Sequence, residues 1–177
     1  MAADLAEAWE QFRQALELYG EASRVLNPPC STEQVHEVET RLGFELPPSL
    51  KALLAINNGQ RIDNERNKRG IFKSVSGWDV YERHVFLGIR DIETAYRTFI
   101  DDTILRSEFG VEEIPFAVAG NPTRYKEAFC INRSTGVVSL IWTDYVDPFS
   151  PADWQVKKCT RARSLAEFVQ KQVELYC

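Results

Sequence analysis

Helix-type spacing of apolar residues marks both ends of this chain, and short strand-type runs fill its middle. Near the start, large apolar side chains recur at intervals of three and four, which places them along one side of a helix. These residues are Leu5, Trp9, Phe12, Leu16 and Tyr19. With 177 residues and no internal repeat or change of composition, the chain is predicted to form one α+β domain over residues 1–177.

Capping patterns predict where the further helices begin and end. Ser31 and Gln34 form a capping box ahead of the apolar residues at 35, 38 and 42, and Gly43 permits a left-handed C-cap. A short helix is expected after Pro47-Pro48, ending at residues 57–59. Asp91 is expected to cap a middle helix, and Ser164 with Glu167 to begin a closing helix.

Runs of branched and aromatic residues predict the strands, because such side chains suit a half-buried pleated surface. The polar, glycine-ended segment 132–136 predicts a hairpin turn between two of them. Residues 60–70, which are dense in charged and amide side chains, predict an exposed loop. The expected strands cover residues 71–75, 78–81, 85–87, 116–119, 127–131, 137–142 and 154–157.

Composition favours a cytoplasmic protein. No apolar run reaches the roughly 18 residues that a membrane span needs, and the acidic amphipathic start differs from a secretory signal. The four cysteines show neither zinc nor redox spacing. The net charge of −5 argues against a phosphate-backbone ligand and for a basic partner.

Residues 35–60 resemble the opening signature of the SUKH superfamily, the Smi/Knr-like domains. The matching residues are Glu39, Leu42, Gly43, Leu46, Pro47, Asn58 and Gly59. Segments 114–116, 135–137 and 164–168 are similar to the family's central strands and closing helix. The resemblance implies a mostly antiparallel sheet flanked by N-terminal, middle and C-terminal helices. Residues 1–27 are then expected to be a family-variable extension added at the surface.

The resemblance also implies a function, since bacterial members mostly bind and neutralise a cognate toxin as immunity proteins. Eukaryotic relatives resemble scaffolds in signalling or ubiquitin ligation. The signature residues themselves shape turns and pack, so they do not indicate catalysis.

Candidate catalytic residues are few. Of the two histidines, His36 is expected to be a solvated residue on the surface of its helix and His84 to be structural. No nucleophile, phosphate-loop or metal-ligand motif occurs. The adjacent acids at 101–102 and 112–113 diverge by about 100° if they lie on a helix, so they do not converge on one atom. We therefore expect no enzyme activity, no cofactor and no metal.

The acidic residues indicate a function more strongly than the candidate catalytic residues do. Residues 91–113 hold seven acids against two arginines, and a second acidic group follows at 144–153. An acidic surface can enter the basic cleft of a toxin that attacks nucleic acid, such as a nuclease or deaminase. Acids that only keep the surface soluble are the alternative. The candidate partner-binding residues are Asp101, Asp102, Glu108, Glu112, Glu113, Asp144, Asp147 and Asp153.

Two other functions compete with the immunity interpretation. Basic residues at 61–69 and at 157–163 would suit a nucleic-acid-binding regulator, although no nucleic-acid partner is expected. A signalling or regulatory scaffold would bind a host protein and protect against no toxin.

Overall fold

The structure, a computed structural model, describes residues 2–18, 25–61, 70–74, 83–101, 111–119, 127–145 and 154–176. Its helices are α1 (Ala2–Glu17), α2 (Thr32–Leu42), α3 (Pro48–Leu54), α4 (Ile89–Asp101) and α5 (Leu165–Glu174). Its strands are β1 (Phe72–Lys73), β2 (Arg83–Phe86), β3 (Glu113–Ala119), β4 (Glu127–Asn132), β5 (Val138–Tyr145) and β6 (Trp154–Ala162).

The strands form one sheet in the order β1-β2-β3-β4-β5-β6, with every neighbouring pair antiparallel. The predicted α+β fold with an antiparallel sheet and flanking helices is confirmed. The predicted hairpin joins β4 to β5, and Gly136 adopts a φ of 73° in its turn. Strand β6 extends beyond the predicted segment because it pairs with β5 along the whole length of that strand.

Phe72 of the short strand β1 lies at the centre of the aromatic core. Its ring centroid is 5.2 to 6.2 Å from the rings of five other residues. Two of these rings belong to α1, and one belongs to α5, so both helices pack around the same strand. The five residues are Trp9, Phe12, Phe86, Phe116 and Phe168.

Helix α1 is therefore part of the core. Leu5, Trp9, Phe12 and Leu16 are almost fully buried, as the apolar spacing predicts. The expectation that residues 1–27 form an element added at the surface is wrong for this helix, because its apolar side faces Phe72 and Phe86. Tyr19, the last residue of the predicted pattern, lies outside the described residues.

The helix caps agree with the sequence where the partners are close in the chain. Ser31 and Gln34 form both hydrogen bonds of the capping box, and Gly43 has a φ of 78°. At α5, Ser164 accepts from the Glu167 amide as predicted. The Glu167 carboxylate, however, accepts from the Arg163 amide at 2.8 Å.

The start of α4 differs from the prediction. Asp91 was expected to be its cap, but the helix begins at Ile89, so Asp91 lies in the first turn. The Ile89 amide instead donates to Oδ1 of Asn58 at 2.8 Å. A side chain from a distant part of the sequence thus occupies the capping role.

Residues 57–60 join several elements, and we call them the Asn57–Gln60 junction. Asn57 accepts a 3.0 Å hydrogen bond from the indole of Trp9 and donates a 2.8 Å bond to the carbonyl of Asn27. The Gln60 amide donates to the carbonyl of Phe86 at 2.8 Å. The junction therefore links α1 and residue 27 to β2 through hydrogen bonds. Asn58 links α4 to the same segment through its bond to Ile89.

The predicted exposed loop at 60–70 is buried at both ends, because Gln60 bonds to β2 and Gly70 lies against its backbone. Residues 62–69 of that loop and the predicted strand at 78–81 lie outside the described residues. Among the described residues, no helix combines the length and apolar character that crossing a bilayer would require.

Gly59 offers a test of the junction. It has a φ of 74°, and an added Cβ would collide with the backbone of Gly88. We expect Gly59→Ala to cost several kcal/mol, because a steric clash is added to the roughly 1–2 kcal/mol of left-handed strain. The measurement is urea-induced unfolding.

Gly43→Ala is the matched control. Gly43 has a similar φ of 78°, but an added Cβ there meets nothing within 4 Å. It should show only the strain of about 1–2 kcal/mol. Equal losses of stability in the two variants would contradict the close approach at Gly59.

Candidate functional site

The signature residues of the first half of the chain have internal partners. The carboxylate of Glu39 on α2 accepts from the Leu46 amide at 2.7 Å and lies 3.1 Å from Nζ of Lys51. It therefore holds the chain between α2 and α3 in place. Asn58 and Gly59 belong to the Asn57–Gln60 junction. These residues stabilise the fold through contacts inside the molecule.

The predicted acidic site is only partly described. Asp101 is exposed at the end of α4. Asp144 lies in β5, where its backbone is opposite Gln155 of β6. Four further candidates, Asp102, Glu108, Asp147 and Asp153, lie outside the described residues, whereas Glu112 and Glu113 lie within them. The structure therefore places one of these acids on a surface and leaves the assembly of the full group as a proposal.

Glu112 lies just before β3 and is half-buried. It pairs with Arg133 and accepts a 2.6 Å hydrogen bond from the Ser134 hydroxyl. The hydrogen bonds from Ser134 and Arg133 lower the pKa of the Glu112 carboxyl. The guanidinium of Arg133 also stacks 4.6 Å above the ring of Phe44. Glu112 thus anchors the β4–β5 turn as well as carrying charge.

Glu113, the first residue of β3, is an interior residue. It is 4% exposed. Its Oε1 lies 2.6 Å from Nζ of Lys158 and 2.9 Å from Nδ2, the side-chain amide nitrogen, of Asn132. The expectation that Glu113 belongs to an exposed acidic face does not match this position. Burial of a carboxylate is tolerated here because a cation and an amide pair with it.

The negative charge of Glu93 on α4 is also offset by neighbouring cations. Its carboxylate accepts two hydrogen bonds at 3.0 Å from Nε of Arg41 and pairs with Arg97. The hydrogen bond from Arg41 lowers the pKa of Glu93. Since Arg41 and Arg133 come from outside residues 91–113, the negative charge of that segment is partly offset by the fold.

Three of the basic residues at 157–163 have different surroundings. Lys158 pairs with buried Glu113. Arg161 lines a cavity beside α5, whereas Arg163 lines a different cavity near the β4–β5 turn. The other basic group, at 61–69, lies almost wholly outside the described residues.

The two histidines are placed as expected. His36 is exposed on α2. His84 is fully buried, stacks 4.4 Å from the ring of Phe129, and has Nε2 3.0 Å from Oε1 of Glu127. Sequence reasoning missed Glu127 as its neighbour, because only the register of β2, β3 and β4 brings them together.

The environment of Glu127 is charged. Burial raises the pKa of this carboxyl, but the contacts with His84 and Ser74 and the charge of Arg161 together outweigh burial and lower it. Within the described ranges, no group of three or more His, Cys, Asp or Glu side chains could hold a metal ion.

Fold and site together define a class of protein: an α+β domain with an antiparallel sheet whose signature residues hold its elements together. The chain belongs to the SMI1/KNR4 family (SUKH-1), whose model matches residues 29–171. The match covers most of the chain and confirms the resemblance found in the sequence. A search of curated proteins gave no match.

The neighbouring acids Glu112 and Glu113 test whether a buried acid contributes more to stability than a half-buried one. We expect Glu113→Gln to cost about 2–3 kcal/mol, since it leaves a partly buried lysine without its charged partner. Glu112→Gln should cost clearly less, because its ion pair is open to solvent. Urea unfolding of both variants measures this difference. A Glu113→Gln protein as stable as Glu112→Gln would contradict a structural role for Glu113.

Proposed function

We propose that this protein is a non-catalytic immunity protein that acts in the cytoplasm by binding and neutralising a cognate toxin. Its family includes immunity proteins. The partner we infer is a nuclease or deaminase toxin with a basic active-site cleft. No cofactor, membrane or nucleic acid takes part in this activity.

One observation carries the proposal: the family's signature residues have their polar atoms engaged inside the molecule. The Glu39 carboxylate bonds to Leu46 and Lys51, and Oδ1 of Asn58 bonds to Ile89. Catalytic groups must instead reach a substrate with the correct geometry. Signature residues that are engaged in this way serve folding, which leaves the exterior of the domain to recognise a partner.

The binding surface we propose is acidic and centres on the end of α4. Asp101 is exposed there, and Asp102 follows it in the sequence. Glu108, Glu112, Asp144, Asp147 and Asp153 complete the group, whereas buried Glu113 supports it from inside by fixing Lys158. Clustered negative charge raises the rate at which a basic partner associates.

The experiment uses the toxin module expected in a neighbouring gene, at the C-terminus of a large secreted protein. Co-expression of this chain should rescue cells from that module. The double substitution Asp101→Lys with Asp102→Lys should slow association by about tenfold or more and weaken rescue, because electrostatic steering is reversed. Stopped-flow association rates at several salt concentrations measure this effect.

The control reverses two exposed acids of α1, Glu7→Lys with Glu10→Lys, for the same change of net charge. It should leave rescue intact. Equal slowing by both double variants would contradict a localised acidic surface. Complete failure of the unaltered protein to bind or rescue would contradict the immunity function and favour a scaffold that binds a host protein.

A further inference from the structure

A cavity of about 540 Å³ lies where the starts of α3 and α5 meet the β4–β5 turn. Its lining extends from the buried side chains of Leu5 and Leu165 to the exposed residues Pro48, Thr135 and Arg163. It is therefore open to a partner at the surface, and we call it the α3–α5 groove. Six of its lining residues are glycine, alanine or serine, whose small side chains leave the space unfilled.

The accessible part of the groove is largely apolar. Exposed Pro48 and half-buried Ala52 and Ala166 line it with carbon atoms. The methylene stem of Arg163 adds further apolar surface, because arginine packs its stem against carbon while its charged head stays in water. A space of this volume lies within the range of ordinary ligand sites. An aromatic or long aliphatic side chain of a partner therefore has room to enter it.

Arg163 gives the groove its open positive charge. The described residues that line the groove include two arginines and no acid, but Glu112 offsets the charge of Arg133. The Arg163 side chain is exposed, and within the described part of the chain its guanidinium makes no hydrogen bond or ion pair. The nearby Glu167 carboxylate is engaged by the Arg163 backbone amide and by Nζ of Lys171. A carboxylate of a partner can therefore pair with the Arg163 guanidinium.

The groove also adjoins the proposed acidic surface. Glu112, one of the candidate acids, pairs with Arg133 and accepts from the Ser134 hydroxyl, and both of these residues line the groove.

The acidic surface has little apolar area of its own. Three large apolar side chains are exposed in the described part of the chain, and only Val111, at 43% exposure, is next to a candidate acid in the sequence. Charged groups speed association, whereas apolar side chains in a desolvated centre supply most of the binding energy. A single half-exposed valine provides little of that contact, which favours a recess that receives a side chain of the partner.

We infer that the α3–α5 groove is the apolar centre of the interface with the toxin, an inference that rests on the immunity function proposed above. The occupant is an aromatic or long aliphatic side chain of the toxin, next to an Asp or Glu whose carboxylate pairs with Arg163. The two surfaces then act on different steps of binding. The exposed acids raise the rate of association, and the filled groove slows dissociation.

Ala52→Trp tests the apolar part of the inference, because an indole at this position fills the groove. Surface plasmon resonance with the full chain and the immobilised toxin module measures both rate constants. We expect dissociation at least about tenfold faster, with the association rate little changed because no charge is altered. Ala55→Trp is the matched control, since Ala55 follows α3, is exposed and does not line the groove. The control should dissociate as the unaltered protein does.

Arg163→Glu tests the carboxylate of the occupant. Reversing this charge should speed dissociation by about fivefold or more, because two carboxylates then meet in the interface. Arg61→Glu is the matched control, since it changes the net charge equally at an exposed residue that does not line the groove. Its dissociation rate should equal that of the unaltered protein. Thermal unfolding of each variant verifies that it is folded.

The outcomes separate this inference from the function on which it rests. Equal dissociation of Ala52→Trp and Ala55→Trp from the toxin would overturn the groove and leave the immunity function standing. Equal rates for Arg163→Glu and Arg61→Glu would overturn the stated chemistry of the occupant. Should Ala52→Trp fail to fold, the comparison of the two arginine variants decides for or against the groove. If the unaltered protein does not bind the toxin, the function and the groove are both rejected.

Discussion

The hydrogen bonds of the Asn57–Gln60 junction set how the elements of this domain meet. Apolar burial drives folding but has no direction, so it does not fix the angle between a helix and a strand. Hydrogen bonds do, because they require a particular distance and alignment. The indole of Trp9 shows both effects, since its ring packs near Phe72 while its nitrogen donates to Asn57. One short segment thereby positions α1, α4 and β2 relative to each other.

Elements fixed by neighbours in the sequence could be predicted, and those fixed by distant residues could not. The capping box of Ser31 and Gln34 involves residues three apart, so its pattern is readable and the structure confirms it. Asn58 caps α4 from 31 residues away. Nothing in the local sequence indicates that bond. Asp91 lies in the first turn and not at the cap position, although its carboxylate accepts from the Gly88 amide just before the helix. Runs of branched and aromatic residues likewise predicted most of β3, β4 and β5, because such runs are also local features of the sequence.

The charge of a folded surface is difficult to predict by summing charges along the sequence. The acids at 91–113 form a strong negative segment when they are summed locally. Folding brings Arg41 to Glu93 and Lys158 to Glu113, so part of that charge is neutralised by residues more than 40 positions away. The field outside the protein depends on the charges that remain exposed. A single exposed acid such as Asp101 can therefore matter more than a paired one.

Buried and exposed acids have different roles within this molecule. Glu113 is buried and its Oε1 has two partners, which is the arrangement expected of a group that stabilises the fold. Asp101, by contrast, is exposed at the end of α4. A domain whose turns and junctions rest on internal hydrogen bonds can change an exterior acid such as Asp101 without rearranging its core, whereas Glu112, which bonds to Arg133 and Ser134, also holds a turn. Recognition surfaces can then diverge among relatives while the residues that define the family stay fixed by folding.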